Sequence, residues 1–162
     1  MFCLFKNEEN IFKQFNIKCS YVGNPTIENF LKYRDNIYPI INKKKLFNNS
    51  KNINCLLLPG SRDGEVKYIL PEFISLIKNS NEKLSNVNWI IPTTRLKYNF
   101  IISIIKNYKI SNITRVVVLE ENYGLLKHAD LAVACSGTIT LELVLFKVPS
   151  IAVYKTDFLS AF

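Results

Sequence analysis

The sequence predicts an α/β fold, a Rossmann-like parallel sheet with helices on both faces. Short apolar runs rich in β-branched residues alternate along the chain with longer stretches of helical period, the pattern of βαβ units. With 162 residues, 48% of them hydrophobic, the chain is long enough for one sizeable core and short for two full domains. The same composition excludes a disordered tail.

Five strands are predicted after residue 53, each a short apolar run between polar or turn residues. They are Asn54 to Leu58, Asn88 to Pro92, Thr114 to Leu119, Leu131 to Cys135 and Ser150 to Val153. Helices are predicted between them, near Glu65 to Lys78, Arg95 to Tyr108, Tyr123 to His128 and Thr138 to Phe146. In the second helix, apolar residues at helical spacing are assigned to the core. These residues are Phe100, Ile101, Ile104, Ile105 and Tyr108.

The first fifty residues differ in character from the rest. Residues 1–34 hold an apolar start (Met1 to Phe5), a helical segment near Glu8 to Phe15, a strand at Cys19 to Val22 and the turn Gly23-Asn24-Pro25. Residues 35–53 are polar and are predicted to form a surface linker. The main domain is therefore placed at 54–162. We expect it to be incomplete at its C-terminal end, because the helical stripe after Val153 is only begun and a parallel sheet is covered on both faces.

The charge balance is strongly basic, with 21 Lys and Arg against 13 Asp and Glu and a formal net charge of +8. This favours anionic partners such as phosphates, nucleic acid or an acidic membrane face, without choosing among them. Much of the excess is attributed to solvated runs such as Asn42 to Lys45. The aromatic residues fall mostly at core periods, which argues against a nucleic-acid partner. No apolar stretch approaches the about 20 residues that span a bilayer.

The cysteine pattern predicts neither a zinc site nor a disulfide framework. The four cysteines, Cys3, Cys19, Cys55 and Cys135, form no CxxC pair, and His128 is the single histidine. We expect reduced thiols and no metal, with His128 serving only the end of a helix. No Walker loop, GxGxxG or GxSxG motif occurs, so typical ATPases, dinucleotide-dependent dehydrogenases and α/β-hydrolases are disfavoured.

The first candidate loop follows the first strand of the main domain, in Leu58-Pro59-Gly60-Ser61-Arg62. Open α/β sheets bind ligands at the carboxyl edge, where this turn delivers Ser61 and Arg62. Gly60 permits close backbone approach, and the guanidinium of Arg62 suits phosphate oxygens. Glu65 lies where the next helix begins and is expected to interact with its free N–H groups. An ordinary tight turn with a solvated arginine is the alternative.

The second candidate loop follows the fourth strand, in Cys135-Ser136-Gly137-Thr138, and leads into a helix. A helix N-terminus of small hydroxylated residues offers free N–H groups and a positive dipole end to an anion. Glu142 is expected one turn into that helix, on nearly the same face as Thr138 and within reach of sugar hydroxyls. Simple helix capping is the alternative. Two such loops on one edge of a sheet favour a ligand site.

Taken in order, these segments resemble lipid-A-disaccharide synthase. The resemblance rests on Leu57 to Arg62 with Glu65-Val66 and Leu70-Pro71, on Ala134 to Thr138 with Thr140 to Glu142 and Pro149, on Tyr21 to Pro25, and on Ala152 to Lys155. Two residues differ from the family pattern, since Asn24 stands where the family usually has a histidine and Ile139 where it has a small residue.

The resemblance implies the carboxyl-side, UDP-binding lobe of a two-lobed GT-B glycosyltransferase, with residues 1–34 as the end of the first lobe and the crossover. The family transfers the sugar of UDP-2,3-diacylglucosamine to 2,3-diacylglucosamine 1-phosphate with inversion, giving lipid A disaccharide 1-phosphate and UDP. It uses no metal and no other cofactor. Its place is the cytoplasm of Gram-negative bacteria, peripherally at the inner face of the inner membrane.

The resemblance also implies site residues. Gly60, Ser61 and Arg62 belong to the UDP site, with Arg62 on the diphosphate. Ser136, Gly137 and Thr138 bind phosphate through backbone and hydroxyl donors, and Glu142 holds the ribose. The family's catalytic base lies in the acceptor lobe, so no catalytic residue is assigned, and we expect the isolated chain to be inactive.

Two other functions stay open from the sequence. Another UDP-sugar enzyme of the GT-B class, such as a UDP-N-acetylglucosamine 2-epimerase or the glycosyltransferase that makes lipid II, shares a Ser/Gly-rich turn and a ribose carboxylate, although the paired motifs argue against both. A non-catalytic remnant that binds nucleotide or nothing is the second. A weaker hypothesis, membrane association through the basic face, predicts vesicle binding that falls with salt.

Overall fold

The computed structural model describes residues 1–33, 51–80, 83–111 and 114–155. The chain divides into two compact units, Met1–Asn36 and Ile37–Phe162. Most of the predicted linker at 35–53 lies outside the described residues. Within those residues, no helix combines the length and the apolar character needed to cross a membrane.

The first unit is a small βαβ arrangement followed by a helix. Strands β1 (Phe2–Cys3) and β2 (Ser20–Tyr21) pair in parallel and are connected through helix α1 (Lys6–Gln14). The predicted helix (α1) and the one predicted strand (β2) are confirmed, with shifted bounds. Strand β1 was not predicted. Helix α2 (Pro25–Tyr33) was not predicted. Its start is nevertheless encoded locally, because the Asn24 side chain accepts a hydrogen bond from the Thr26 N–H at 3.0 Å and Pro25 has the φ that a first helical residue needs.

The expectation of four reduced thiols is wrong for two of the cysteines. Cys3 and Cys19 form a disulfide, with their Cα atoms 6.7 Å apart. The parallel pairing of β1 and β2 brings these positions together, a contact that the sixteen-residue separation does not reveal. Cys55 and Cys135 are free and buried, as expected.

The second unit is built on a five-stranded sheet. Its strands are β3 (Ile53–Leu58), β4 (Val87–Thr93), β5 (Thr114–Val118), β6 (Leu131–Cys135) and β7 (Ser150–Val153). The order across the sheet is β5-β4-β3-β6-β7, and every neighbouring pair is parallel. All five predicted strands are confirmed, two of them at their exact bounds.

The connections after these strands are largely helical. They comprise α3 (Asp63–Ser80), α4 (Arg95–Asn107), two 3₁₀ helices (Leu119–Glu121 and Tyr123–His128) and α5 (Thr138–Leu145). The predicted helices are confirmed within two residues at each end, except that the third is a 3₁₀ helix. Short 3₁₀ segments of this kind serve as connectors.

The core lies on both faces of the sheet, because side chains alternate along each strand. On one face, Cys55, Leu57, Trp89 and Ile91 pack against buried residues of α3 and α4. On the other, Leu56, Leu58 and Ile90 pack against Leu125, Leu126 and Leu143 from the 3₁₀ segment and α5. The predicted sheet with helices on both faces is therefore confirmed.

The predicted core face of α4 is only partly correct. Ile101 and Ile105 are fully buried and Ile104 packs against the core. Phe100 and Tyr108 are 48% and 45% exposed. Phe100 lies at the margin of the apolar stripe, and Tyr108 is the C-cap residue just beyond the end of the helix.

Candidate functional site

The two candidate loops lie at the point where the direction of strand succession reverses. From β3 the chain moves outward through β4 to β5, and it then returns to place β6 on the other side of β3. Leu58 at the end of β3 is in register with Ala134 near the end of β6. Parallel neighbours end at the same edge, so the loops after β3 and β6 flank a crevice there, the usual ligand position in open α/β sheets.

The loop after β3 is organised around the carboxylate of Glu65. Its Oε2 accepts hydrogen bonds from the backbone N–H groups of Ser61 at 2.9 Å and Arg62 at 3.1 Å. Its Oε1 accepts one from the Arg62 guanidinium at 3.0 Å. The expected interaction of Glu65 with the start of α3 is thus confirmed. Because Glu65 takes up both amides, Arg62 offers an anion its side chain, which is 85% exposed.

The protonation of Glu65 follows from these contacts. Desolvation by burial acts to raise its pKa, but the backbone N–H groups of Arg62 and Ser61 and the charge of the Arg62 guanidinium outweigh it. The net pKa of Glu65 lies below the ordinary value, so the side chain is ionised at neutral pH. An Arg–Glu pair therefore stands at the mouth of the crevice.

Gly60 is required by the shape of this loop. Its φ is +98°, a conformation that L side chains rarely adopt. A Cβ at this position would lie 2.6 Å from the Cβ and 2.4 Å from Oε2 of Glu65. The glycine is thus what allows the Glu65 carboxylate to fold back onto the turn.

The loop after β6 presents the N-terminus of α5. Ser136 donates its N–H to the Val153 carbonyl at 2.8 Å and so extends the sheet. The Ser136 N–H is therefore already used within the sheet, and Ser136 offers a ligand its hydroxyl. The Thr140 N–H and hydroxyl donate to the Gly137 carbonyl at 3.1 and 2.6 Å. The first-turn N–H groups of Thr138 and Ile139 have no intrahelical acceptor, because an α-helix provides none there.

Glu142, one turn into α5, is held by a residue that the sequence did not single out. The Tyr123 hydroxyl donates to Oε2 of Glu142 at 2.6 Å. The Tyr123 ring also packs edge-on against Phe146, with centroids 5.6 Å apart. Nothing in the sequence spacing links Tyr123 to Glu142, since they are nineteen residues apart and meet only in the folded sheet.

All seven predicted site residues line one cavity of about 540 Å³. Gly60, Ser61 and Arg62 come from one loop, and Ser136, Gly137, Thr138 and Glu142 from the other. Further lining residues lie at or just after the ends of β4 and β5. Their position at the carboxyl edge of the sheet is the sequence signal that could have identified them. They are Thr93, Thr94, Leu119 and Glu120.

Two features involve residues that line this cavity or are next to lining residues in the chain. Ion pairs Lys97–Asp63 and Arg95–Glu121 connect the start of α4 with α3 and with the segment after β5. At the end of β4, the Thr93 side chain is 3% exposed, and its hydroxyl has no hydrogen-bond partner among the described residues. A buried hydroxyl without a partner at a cavity wall is the kind of group that a ligand or water satisfies.

Cys135 lines the same cavity with its thiol in the protonated form. Burial raises the pKa of its thiol, the Glu65 carboxylate raises it further, and the Arg62 guanidinium acts in the opposite direction. The thiol is consequently neutral at physiological pH. Within the described residues, no group of three or more His, Cys, Asp or Glu side chains is placed to hold a metal.

Comparison with known proteins connects this geometry to one family. A family model described as Lipid-A-disaccharide synthetase matches residues 1–162. The lipid-A-disaccharide synthase of Gloeothece citriformis (strain PCC 7424) is 30% identical over 156 residues, which cover 96% of this chain and 39% of that protein. The one from Rickettsia prowazekii (strain Madrid E) is 32% identical over 162 residues, covering 99% and 40%. The chain thus spans about 40% of the length of these relatives.

A solved structure shows the same fold. The pneumococcal O-GlcNAc transferase GtfA, crystallised with UDP and GlcNAc, superposes with a TM-score of 0.53 at 10% sequence identity. The superposition covers 97% of this chain and 30% of the transferase. The likeness at this identity concerns the fold alone, a parallel α/β sheet covered by helices.

Proposed function

Because the chain belongs to the lipid-A-disaccharide synthetase family, we propose that residues 51–155 form its UDP-binding lobe, of GT-B type. In this proposal the crevice between the loops after β3 and β6 holds the UDP of UDP-2,3-diacylglucosamine. A protein that combines this lobe with an acceptor lobe then transfers the sugar to 2,3-diacylglucosamine 1-phosphate and releases UDP.

One observation carries the proposal, which is the placement of a cation and a helix N-terminus on opposite sides of one crevice. The exposed guanidinium of Arg62 lies on the β3 side, and the first turn of α5 with Thr138 on the β6 side. A forked cation and free N–H groups are both suited to phosphate oxygens. A diphosphate is long enough to be held by both. The Glu142 side chain is an anion that would repel the phosphates. It suits the uncharged hydroxyls of the ribose, from which it can accept hydrogen bonds.

The chemistry follows from where charge develops. In the transfer, an acceptor hydroxyl oxygen forms a bond to the anomeric carbon while the bond from that carbon to the β-phosphate oxygen breaks. The electron pair leaves with UDP, so negative charge grows on the diphosphate. In this proposal Arg62 and the N-terminus of α5, which both line the crevice, stabilise that charge more in the transition state than in the ground state.

The remaining parts of the reaction are assigned outside the described site. The proton of the attacking hydroxyl requires a base, and we place that base in the acceptor lobe together with the acceptor-binding surface. We also propose a cytoplasmic location, with the net charge of +8 favouring contact with an anionic membrane face. The isolated 162-residue chain should then make no disaccharide, and detectable synthesis by it would refute this division of labour.

The test is UDP binding by the purified chain, measured by isothermal titration calorimetry. Arg62→Ala removes the guanidinium and leaves the Glu65 carboxylate facing the diphosphate, so we expect UDP affinity to fall about 10- to 100-fold, as for a lost charge-assisted hydrogen bond. Lys67→Ala is the matched control, because it removes one exposed positive charge from α3 outside the cavity. It should change the affinity less than about twofold.

The outcomes separate the alternatives. Equal UDP affinity in Arg62→Ala and the parent chain would contradict the assigned diphosphate site. No UDP binding by the parent would favour a non-catalytic remnant. Tighter binding of UDP-N-acetylglucosamine than of UDP-2,3-diacylglucosamine would favour a different UDP-sugar enzyme.

A further inference from the structure

We propose that Tyr123 is a positioning residue that fixes the Glu142 carboxylate for recognition of a ribose hydroxyl, so that the tyrosine hydroxyl sets the preference for nucleotides that carry this hydroxyl over analogues that lack it. The inference rests on the proposed UDP site. It concerns Tyr123, which acts through Glu142.

The first support is the double contact between Tyr123 and α5. Its hydroxyl donates to Oε2 of Glu142 at 2.6 Å, while its ring edge packs on Phe146, four residues further along the same helix face. One contact fixes the ring and the other fixes the carboxylate. Among the described residues, Oε1 of Glu142 accepts no hydrogen bond, so one carboxylate oxygen is held and the other is left for a ligand.

The second support is the rigidity of the segment that carries Tyr123. The neighbouring Leu125 and Leu126 are fully buried in the core under the sheet. Asn122, itself buried, donates its side-chain amide to the Val118 carbonyl at 2.9 Å and so ties the segment to the end of β5. A tyrosine on such a base imposes its position on a glutamate, whose three rotatable bonds otherwise leave its carboxylate mobile.

The consequence is a specific role in affinity. A carboxylate held in advance loses little entropy when it accepts a hydrogen bond from a sugar hydroxyl, whereas a mobile one must be ordered by the ligand. Loss of the tyrosine hydroxyl should therefore lower the affinity for ligands that carry the recognised hydroxyl and leave unchanged the affinity for ligands that lack it. A residue that merely supports the fold would affect both alike.

The experiment compares UDP with 2′-deoxy-UDP and 3′-deoxy-UDP by calorimetry on the 162-residue chain. Tyr123→Phe keeps the ring and its packing on Phe146 and removes only the hydroxyl. We expect UDP affinity to fall about 3- to 10-fold, with little change for the deoxy analogue that binds more weakly to the parent. Glu142→Gln should reduce the same preference, and the double variant should lose no more than Glu142→Gln alone. Tyr108→Phe, an exposed hydroxyl deletion outside the cavity, should leave all affinities unchanged.

The contrary outcomes are distinct. Equal losses for UDP and both deoxy analogues in Tyr123→Phe, or no loss for any, would overturn the positioning role while leaving the UDP site intact. Failure of the parent chain to bind UDP would overturn the proposed function and this inference together. The melting temperature of Tyr123→Phe, compared with that of the parent, shows whether the variant retains its fold.

Discussion

Replacing Gly60 with alanine perturbs the turn on which the first loop depends. The added Cβ would stand at φ +98° and within 2.6 Å of the Glu65 Cβ, a backbone-proximal atom that cannot rotate away. Relief therefore requires the turn or the first residues of α3 to move. Either movement separates the Glu65 carboxylate from the Ser61 and Arg62 N–H groups.

The size of the effect is the sum of two costs. A non-glycine residue in a positive-φ conformation costs about 1 to 2 kcal/mol. Loss of a capping carboxylate at a helix start costs about 1 kcal/mol more. We expect Gly60→Ala to lower the free energy of unfolding by about 2 to 3 kcal/mol, which for a chain of this length corresponds to a fall of roughly 5 to 10 °C in melting temperature.

Urea denaturation followed by tryptophan fluorescence measures this directly. Trp89, the single tryptophan, is buried in β4 and reports on the unit that holds the site. Gly64→Ala is the matched control, because a Cβ there meets nothing within 4 Å and the residue lies in the first turn of α3. It should be neutral or up to about 1 kcal/mol stabilising. Equal unfolding free energies for Gly60→Ala and Gly64→Ala would refute the reasoning.

Two further predictions concern capping and pH. Asn24→Ala should lower the free energy of unfolding by about 1 kcal/mol because it removes the cap of α2. Asn24→Asp keeps the acceptor oxygen and should leave the stability unchanged. Identical thermal melts of Asn24→Ala and the parent, followed by circular dichroism at the α-helical signal, would argue against the cap. Because the folded-state pKa of Glu65 lies below its ordinary value of 4.5, its ionised form stabilises the fold above that pH, and this contribution is lost as the pH falls toward the folded pKa. Glu65→Gln should therefore be less stable than the parent near pH 7, and it should lose less stability than the parent between about pH 5 and about pH 3. Free energies of unfolding, measured with urea, that fall in parallel for both proteins over this pH range would contradict this.

The sheet could be predicted from the sequence because each strand carries its own signal. Cys55 to Leu58 of β3 are buried in the central strand of a parallel sheet, so this run is continuously apolar and unambiguous. Helix α2 was not predicted although Asn24-Pro25 is a strong start signal, because Gly23-Asn24-Pro25 also has the composition of a turn. The Cys3–Cys19 pairing had no local signal, because it depends on the register of two strands of two residues each.

Apart from Glu142, the candidate site could be predicted where residues follow strand ends. Ser61, Arg62 and the turn at Gly137 were found because turn chemistry and strand ends coincide in the sequence. The partners that shape them were not, because the hydrogen bond from Tyr123 to Glu142 and the use of the Ser136 N–H by Val153 are made between segments distant in the chain. The groups offered to a ligand are therefore easier to predict from the sequence than the groups that hold them in place.

The central claim is tested most directly by locating UDP on the chain. Amide resonances recorded by nuclear magnetic resonance during a UDP titration should shift most at Gly137, Thr138 and Ile139 and in the turn at Gly60 to Arg62, with little change in α1. Shifts concentrated away from these two loops, or no shifts at UDP concentrations that saturate binding in calorimetry, would contradict a UDP site at the crevice between β3 and β6.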